Sequence, residues 1–134
     1  MVVAVLAVVA GVAVPGVAWV HGRLAVGADA RRFVLVLRRA QARAAATGTP
    51  VRVELVRGGR GYRVTTTGVE AATVEHGDFA AACTTNYPAG TLEFAPAGWP
   101  CTPGGSPRAG TFTFACRGVS AAVVLQMGGR VRGA

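Results

Sequence analysis

Residues 1–20 read MVVAVLAVVAGVAVPGVAWV, and the only polar side-chain group among them is the indole N–H of Trp19. His21 and Arg23 end this apolar run. Twenty helical residues reach about 30 Å, which matches the hydrocarbon thickness of a bilayer. A cleaved signal peptide normally begins with basic residues, and none precedes this run. The stretch therefore predicts a transmembrane helix over residues 1–22.

The chain continues in a helical pattern with two faces. Arginines occupy one face of residues 24–46, and Thr47-Gly48-Thr49-Pro50 predicts the end of the helix. We therefore expect residues 23–47 to be the amphipathic second half of one long helix, with its apolar stripe packed on the following domain. The stripe recurs at steps of three and four and consists of Val26, Ala30, Phe33, Leu37, Ala40 and Ala44.

The remaining residues, 48–134, predict a small β-rich head. Residues 51–55 (VRVEL) and 62–65 (YRVT) alternate around a glycine-rich turn, which predicts a β-hairpin. Strand-like runs follow at residues 91–94, 111–115 and 121–127. About six or seven short strands suit two small packed sheets. The predicted fold class is α+β, with a long N-terminal helix packed on a small antiparallel, β-sandwich-like head.

The composition is basic and poor in catalytic patterns. The 134 residues include 14 basic and 6 acidic side chains, a formal charge of +8, and every basic residue is arginine. Such charge favours anionic partners, including nucleic acid and lipid headgroups, although a solvated basic surface also explains any single arginine. Glu75, His76 and Asp78 form the only titratable cluster, in a turn-like sequence. We expect a solvated turn there, and no enzyme activity, metal, cofactor or small-molecule substrate.

Three cysteines, Cys83, Cys101 and Cys116, do not have the spacing of a zinc site. Cys101 and Cys116 flank a loop rich in proline and glycine and a strand-like run. A disulfide between them would contribute about 3 kcal/mol and would need an oxidising compartment. Three buried free thiols in a reducing compartment are the alternative.

The arginines that follow the apolar run pose a conflict of topology. No basic residue precedes the run, so the positive-inside rule places the head in the cytoplasm. The predicted disulfide places it on the opposite side. The conflict disappears if Met1 lies inside a longer reading frame that supplies basic residues before the span.

Several segments, in their order along the chain, carry a resemblance to a known family. Residues 1–7 (MVVAVLA) look like the middle of an N-terminal pilin signature, and Pro15 matches the proline of that helix. Residues 35–53 are similar to the passage from helix to first strand. Phe94-x-Pro96-x-Gly98 and the closing Gly129-Arg130-Val131-Arg132 also match. Together they resemble type IV pilin-like proteins, specifically minor pseudopilins of the GspH/FimT group.

The resemblance implies a subunit held in the inner membrane by a single span, with its head on the periplasmic or extracellular side, until it enters a fibre. Its partners would be other pilin or pseudopilin subunits, contacted through the N-terminal helix. The basic leader, cleavage glycine and following glutamate of the family do not occur in this sequence. We expect upstream codons to encode them.

Two functions follow from this resemblance. The first is structural, as a minor pseudopilin of a type II secretion or type IV pilus fibre. The second is DNA binding in a competence pilus, through the C-terminal Gly-Arg-Val-Arg. Arg130 and Arg132 would point the same way in an extended tail, with Arg117 or Arg108 in support. No aromatic residue interleaves with the tail arginines, so only sequence-independent phosphate contact is expected.

Overall fold

The computed structural model describes the backbone of residues 2–68 and 71–133 and the side chains of residues 19–68 and 71–133. One helix, α1, spans Val2–Thr47. It ends because Gly48 adopts φ 69°, where glycine is favoured, while its N–H donates to the Ala44 carbonyl at 3.0 Å. The predicted end of the helix is therefore confirmed.

The rest of the chain forms two antiparallel sheets. A five-stranded sheet has the order β3-β2-β1-β5-β6, and a four-stranded sheet has the order β4-β7-β8-β9. Short 3₁₀ turns at Arg57–Gly59 and Pro88–Gly90 connect β1 to β2 and β4 to β5. The strands are β1 Val51–Val56, β2 Gly61–Thr66, β3 Thr73–Asp78, β4 Ala82–Thr85, β5 Thr91–Phe94, β6 Pro100–Cys101, β7 Gly110–Cys116, β8 Val119–Leu125 and β9 Val131–Gly133.

The second half of α1 packs against both sheets, and its predicted apolar stripe is buried throughout. Phe33 is fully buried, and its ring lies between aromatic rings from both sheets. The centroid distances are 4.8 Å to Phe112 and 5.6 Å to Phe114 in the four-stranded sheet, and 5.9 Å to Tyr62 in the five-stranded sheet. The predicted α+β class, with a helix on an antiparallel head, is confirmed.

The expected number of strands was too low, since nine are present among the described residues. The turn predicted around Glu75, His76 and Asp78 was wrong, because these residues lie in β3, paired with β2. β3 is an edge strand whose side chains are exposed or only partly buried, so it has no apolar alternation to recognise. β6 has only two residues.

The predicted membrane span falls almost entirely on residues whose side chains lie outside those described. Over the described part of the chain, we find no helix with the length and mean hydropathy that a bilayer crossing requires. The span over residues 1–22 therefore stays a prediction.

Candidate functional site

Charge is distributed unevenly over the head. Four of the acidic residues lie on strands of the five-stranded sheet, and the strands of the four-stranded sheet contain none. Each carboxylate with a described side chain has an arginine partner. Arg52 Nη2 lies 2.8 Å from Glu93 Oε1, Arg63 pairs with Glu54, Arg39 with Glu75, Arg57 with Asp78, and Arg32 Nη2 lies 3.6 Å from Asp29.

The other arginines form no ion pair with any described carboxylate, and several of them surround the four-stranded sheet. An isolated surface ion pair contributes only about 0–1 kcal/mol, so an exposed pair of the five-stranded sheet such as Arg57–Asp78 balances charge more than it stabilises the fold. The consequence is a neutralised five-stranded sheet and a cationic flank around the four-stranded one. The unpaired arginines are Arg23, Arg31, Arg38, Arg43, Arg60, Arg108, Arg117, Arg130 and Arg132.

The two tail arginines project from the C-terminal hairpin. Gln126 N–H donates to the Arg130 carbonyl at 2.9 Å, and Gly129 sits in the intervening turn at φ 90°. Val131 is buried between exposed Arg130 and Arg132, so both guanidinium side chains leave the outer side of β9. This side-chain alternation is what the sequence pattern predicted for the tail.

Gln41 fixes this hairpin against α1, a role that sequence reasoning missed. Its Nε2 donates to the Gly129 carbonyl at 2.8 Å and to the Gly98 carbonyl at 2.6 Å. One helical side chain thereby connects the turn before β9 with the turn between β5 and β6. The sequence signal available was a lone polar residue beside the apolar stripe of an amphipathic helix.

Arg108 and Arg117 lie at opposite ends of β7. The Arg108 guanidinium donates to the Asn86 carbonyl at 2.9 Å, close to Gly110, where β7 begins. Arg117 occupies the turn after β7, beside Gly22 of α1. Seven-residue strands span about 20 Å. Because Gly110 pairs with Leu125, the structure places Arg108 at the same end of the sheet as Arg130 and places Arg117 at the far end.

The three cysteines are free thiols in this structure. Cys101 lies in β6 of the five-stranded sheet, and its Sγ lies 3.3 Å from the Glu93 carbonyl. Cys116 ends β7 in the four-stranded sheet, at the end away from the loop that contains Arg108. Arg108 N–H bonds to the Pro100 carbonyl, which places Cys101 near the start of β7. Forming the predicted disulfide would therefore require the chain between the two residues to rearrange.

Alkylation distinguishes free thiols from that disulfide. Burial, and secondarily the Asp29 carboxylate, raises the pKa of Cys83 to about 12, and burial also raises the pKa of Cys101. Since thiolates are the reacting species, iodoacetamide at about pH 8 should modify only the partly exposed Cys116 in the folded chain. Intact mass would show a single adduct, rising to three after unfolding. A Cys101–Cys116 disulfide would instead give no adduct in the folded chain and, without reduction, a single adduct on Cys83 after unfolding.

The titratable cluster on β3 is engaged in structural contacts. The Glu75 carboxylate accepts from Arg39 and, at 3.3 Å, from the Tyr62 hydroxyl. Burial is the main cause that raises the pKa of Tyr62, and the nearby Glu75 carboxylate adds to it. Among the described side chains, no three histidine, cysteine or acidic groups come together in a way that could hold a metal ion.

Two adjoining cavities form a groove along one side of α1, which the sequence did not indicate. The first, about 530 Å³, lies between residues 19–31 of α1 and residues 119–121 of β8. The second, about 370 Å³, lies between residues 31–38 of α1 and Gly133 of β9. Arg31 lines both, so the α1 groove runs beside the edge of the four-stranded sheet for roughly 28 Å of helix.

Comparisons with known proteins identify the fold. No family model matches this sequence, and no curated protein sequence is significantly similar. Two crystal forms of the type IV minor pilin FimU of Pseudomonas aeruginosa superimpose with TM-scores of 0.65 and 0.70 at 16% identity. They cover 78% and 84% of this chain and 89% and 90% of theirs.

A secretion-system protein has the same fold. The minor pseudopilin EpsH of the Vibrio cholerae type 2 secretion system superimposes with a TM-score of 0.66 at 14% identity. The match covers 81% of this chain and 95% of EpsH. The chain therefore has the fold shared by these minor pilins and pseudopilins, as the sequence resemblance indicated.

Proposed function

We propose that this chain is a structural subunit of a pilus-type fibre, a minor pilin or minor pseudopilin without enzymatic activity. The observation that carries the proposal is the fold: a 46-residue helix whose second half packs against two antiparallel sheets, in a chain that superimposes on FimU and EpsH. The described residues supply no catalytic constellation that competes with this role. The fibre would be that of a type II secretion system or of a type IV pilus.

In the proposed arrangement, residues 1–22 cross the inner membrane once and residues 23–47 continue the same helix into the head, residues 48–134, on the periplasmic or extracellular side. Support comes from the continuity of α1 through both segments. The buried stripe begins at Val26, just beyond the end of the apolar run. Ala4, Ala7, Ala10 and Gly11 are small enough for close packing with helices of neighbouring subunits in the fibre.

Reporter fusions after Ala134 test the topology. Alkaline phosphatase folds only in an oxidising compartment, so a fusion to it should be active if the head is on the periplasmic or extracellular side. Green fluorescent protein that is exported in unfolded form does not fluoresce, so the corresponding fusion should be dark. A fluorescent fusion with inactive phosphatase would place the head in the cytoplasm and overturn the proposal. A tagged chain should also appear in fibres sheared from cells, and lose this location when Ala10 is replaced by glutamate.

We retain DNA binding as a second candidate function because Arg130 and Arg132 project together and form no ion pair within the described chain. Arg108 lies at the same end of the sheet and could add a third phosphate contact. Backbone contacts of this kind would be independent of sequence.

A salt titration with duplex DNA tests this function. Removing one arginine that binds a phosphate should reduce the slope of log affinity against log salt by about one, so Arg130→Ala and Arg132→Ala should each have that effect. Arg60→Ala is the matched control, because Arg60 is exposed and unpaired but lies in the β1–β2 turn. Unchanged slopes in both tail variants would remove the tail from DNA binding, and absence of binding by the full chain would remove the function.

A further inference from the structure

Two turns meet at the end of the head that carries Arg130. The Gln41 side-chain amide donates to the Gly98 carbonyl in the β5–β6 turn and to the Gly129 carbonyl in the β8–β9 turn. The two backbones approach closely there, since a Cβ atom built on Gly129 would lie 2.3 Å from the Gly98 carbonyl oxygen. Trp99 and Arg130 directly follow these two glycines. The fold therefore brings an aromatic residue close to the tail arginines, which have none beside them in the sequence.

Trp99 is exposed on a turn whose backbone is fixed. The residue is 44% exposed, unlike the phenylalanines of the core. The Ala95 N–H donates to the Trp99 carbonyl at 3.1 Å, and the Gly98 N–H donates to the Ala95 carbonyl at 2.8 Å. A rigid aromatic side chain on such a turn has little conformational freedom to lose when a ligand binds. Trp99 is thus a preformed contact surface.

The surroundings of Trp99 carry only positive charge. None of the residues that follow β5 in the sequence is acidic. The Arg108 N–H donates to the carbonyl of Pro100, the residue after Trp99. Arg130 and Arg132 leave the same side of β9, about 7 Å apart along the strand. Like Arg108, they are exposed and form no ion pair with any described carboxylate. A ligand with regularly repeated negative charges matches this arrangement.

We propose that Trp99, Arg108 and Arg130 form a binding site for single-stranded DNA, in which the Trp99 ring stacks on an unpaired base and the arginines contact phosphates. Proteins that bind single strands without sequence preference combine aromatic platforms with a cationic track for the backbone. DNA as the ligand rests on the second candidate function above, whereas the need for an unpaired base follows from Trp99 itself. Inside a duplex, both faces of every base are covered by the neighbouring base pairs.

The position and chemistry of Trp99 favour this ligand over a membrane or an acidic protein. Gln41, which holds the Trp99 turn, lies about 28 Å along α1 from Gly22 at the end of the predicted span. The site therefore faces away from the membrane that this span would cross. An acidic protein segment would satisfy the arginines but would use the Trp99 ring only as apolar area. Bases and phosphates recur together along a nucleic-acid strand, so one ligand satisfies both kinds of group.

Binding of oligothymidylate, which forms no duplex with itself, tests the stacking contact on the full chain in non-ionic detergent. Trp19 and Trp99 are the only tryptophans, so Trp19→Phe leaves Trp99 as the single indole, and its fluorescence should be quenched by the oligonucleotide. Trp99→Leu should weaken oligothymidylate binding about tenfold, the usual order for loss of one stacked base, and leave the affinity for a duplex of equal length unchanged.

Matched variants separate stacking from charge and from folding. Trp99→Phe keeps an aromatic ring and should retain most of the affinity, while Trp19→Leu, at another exposed tryptophan, should change nothing. Arg130→Ala should weaken binding of both DNA forms, because both present phosphates. Circular dichroism should show every variant to be folded.

Three results would overturn the stacking site. If Trp99→Leu leaves oligothymidylate binding unchanged, or weakens duplex binding equally, Trp99 does not stack on a base; DNA binding itself would still stand if Arg130→Ala weakens it. If polyglutamate displaces oligothymidylate at equal charge concentration, the partner is an acidic protein. If neither DNA form binds, the site and the DNA-binding function both fail. The fibre role is tested separately by the reporter fusions.

Discussion

Phe33→Ala is expected to lower the free energy of unfolding by about 3–5 kcal/mol, the usual cost of truncating a fully buried phenylalanine. The ring has no exposed surface and meets Tyr62 from one sheet and Phe112 and Phe114 from the other. Removing it opens a cavity where the helix and both sheets meet. Edge-to-face contacts with several rings place the loss toward the upper part of this range. Urea unfolding of the full chain in detergent, followed by circular dichroism, measures it.

Leu35→Ala is the matched control, two residues along the same helix. Leu35 is 52% exposed, so its truncation leaves no buried cavity and should change the free energy of unfolding by less than about 1 kcal/mol. Both substitutions introduce alanine into α1, so a difference in helix propensity between the two variant residues cannot explain a difference in their stability. Similar losses in the two variants would mean that α1 does not contribute the centre of the core.

The apolar stripe of α1 could be predicted because a helix that packs on a sheet must repeat its apolar residues at 3.6-residue spacing. Each residue of the predicted stripe is buried. Val34 and Val36, which lie beside that stripe, are buried as well. The reason is that α1 contacts β1 and β5 of one sheet and β7, β8 and β9 of the other, so more than one helical face is covered.

The arginine site was less predictable than the helix, because the pairing of the strands determines which arginines lie at the same end of the sheet. Because side chains alternate along an extended chain, the two-residue spacing of Arg130 and Arg132 predicted that both point to the same side of the tail. It could not show that Arg117 lies at the opposite end of β8, since that follows from the pairing of β7 with β8. The α1 groove has no sequence signature either. It forms where residues 119–121 of β8 and Gly133 of β9 lie beside α1, and only the folded arrangement brings these segments together.

The turn between β1 and β2 shows how a single glycine can determine how close two sheets lie. Gly59 has φ 87°, and a Cβ atom built on it would lie 2.0 Å from the Cys83 carbonyl oxygen in β4. The obstacle is backbone, so no side-chain rotation relieves it. The turn belongs to the five-stranded sheet and β4 to the other, so a side chain here would force the two sheets apart at this point.

Gly59→Ala is therefore expected to cost about 3–4 kcal/mol, combining a left-handed backbone with a steric clash. Gly58→Ala is the control within the same turn, because Gly58 also has positive φ, 65°, but has no atom within 4 Å of the built Cβ. It should cost only about 1 kcal/mol, the conformational part alone. The difference between the two variants in urea unfolding isolates the contact with β4. Equal costs would mean that the turn can move away from Cys83 without loss, and the close approach of the sheets at this point would then contribute nothing to stability.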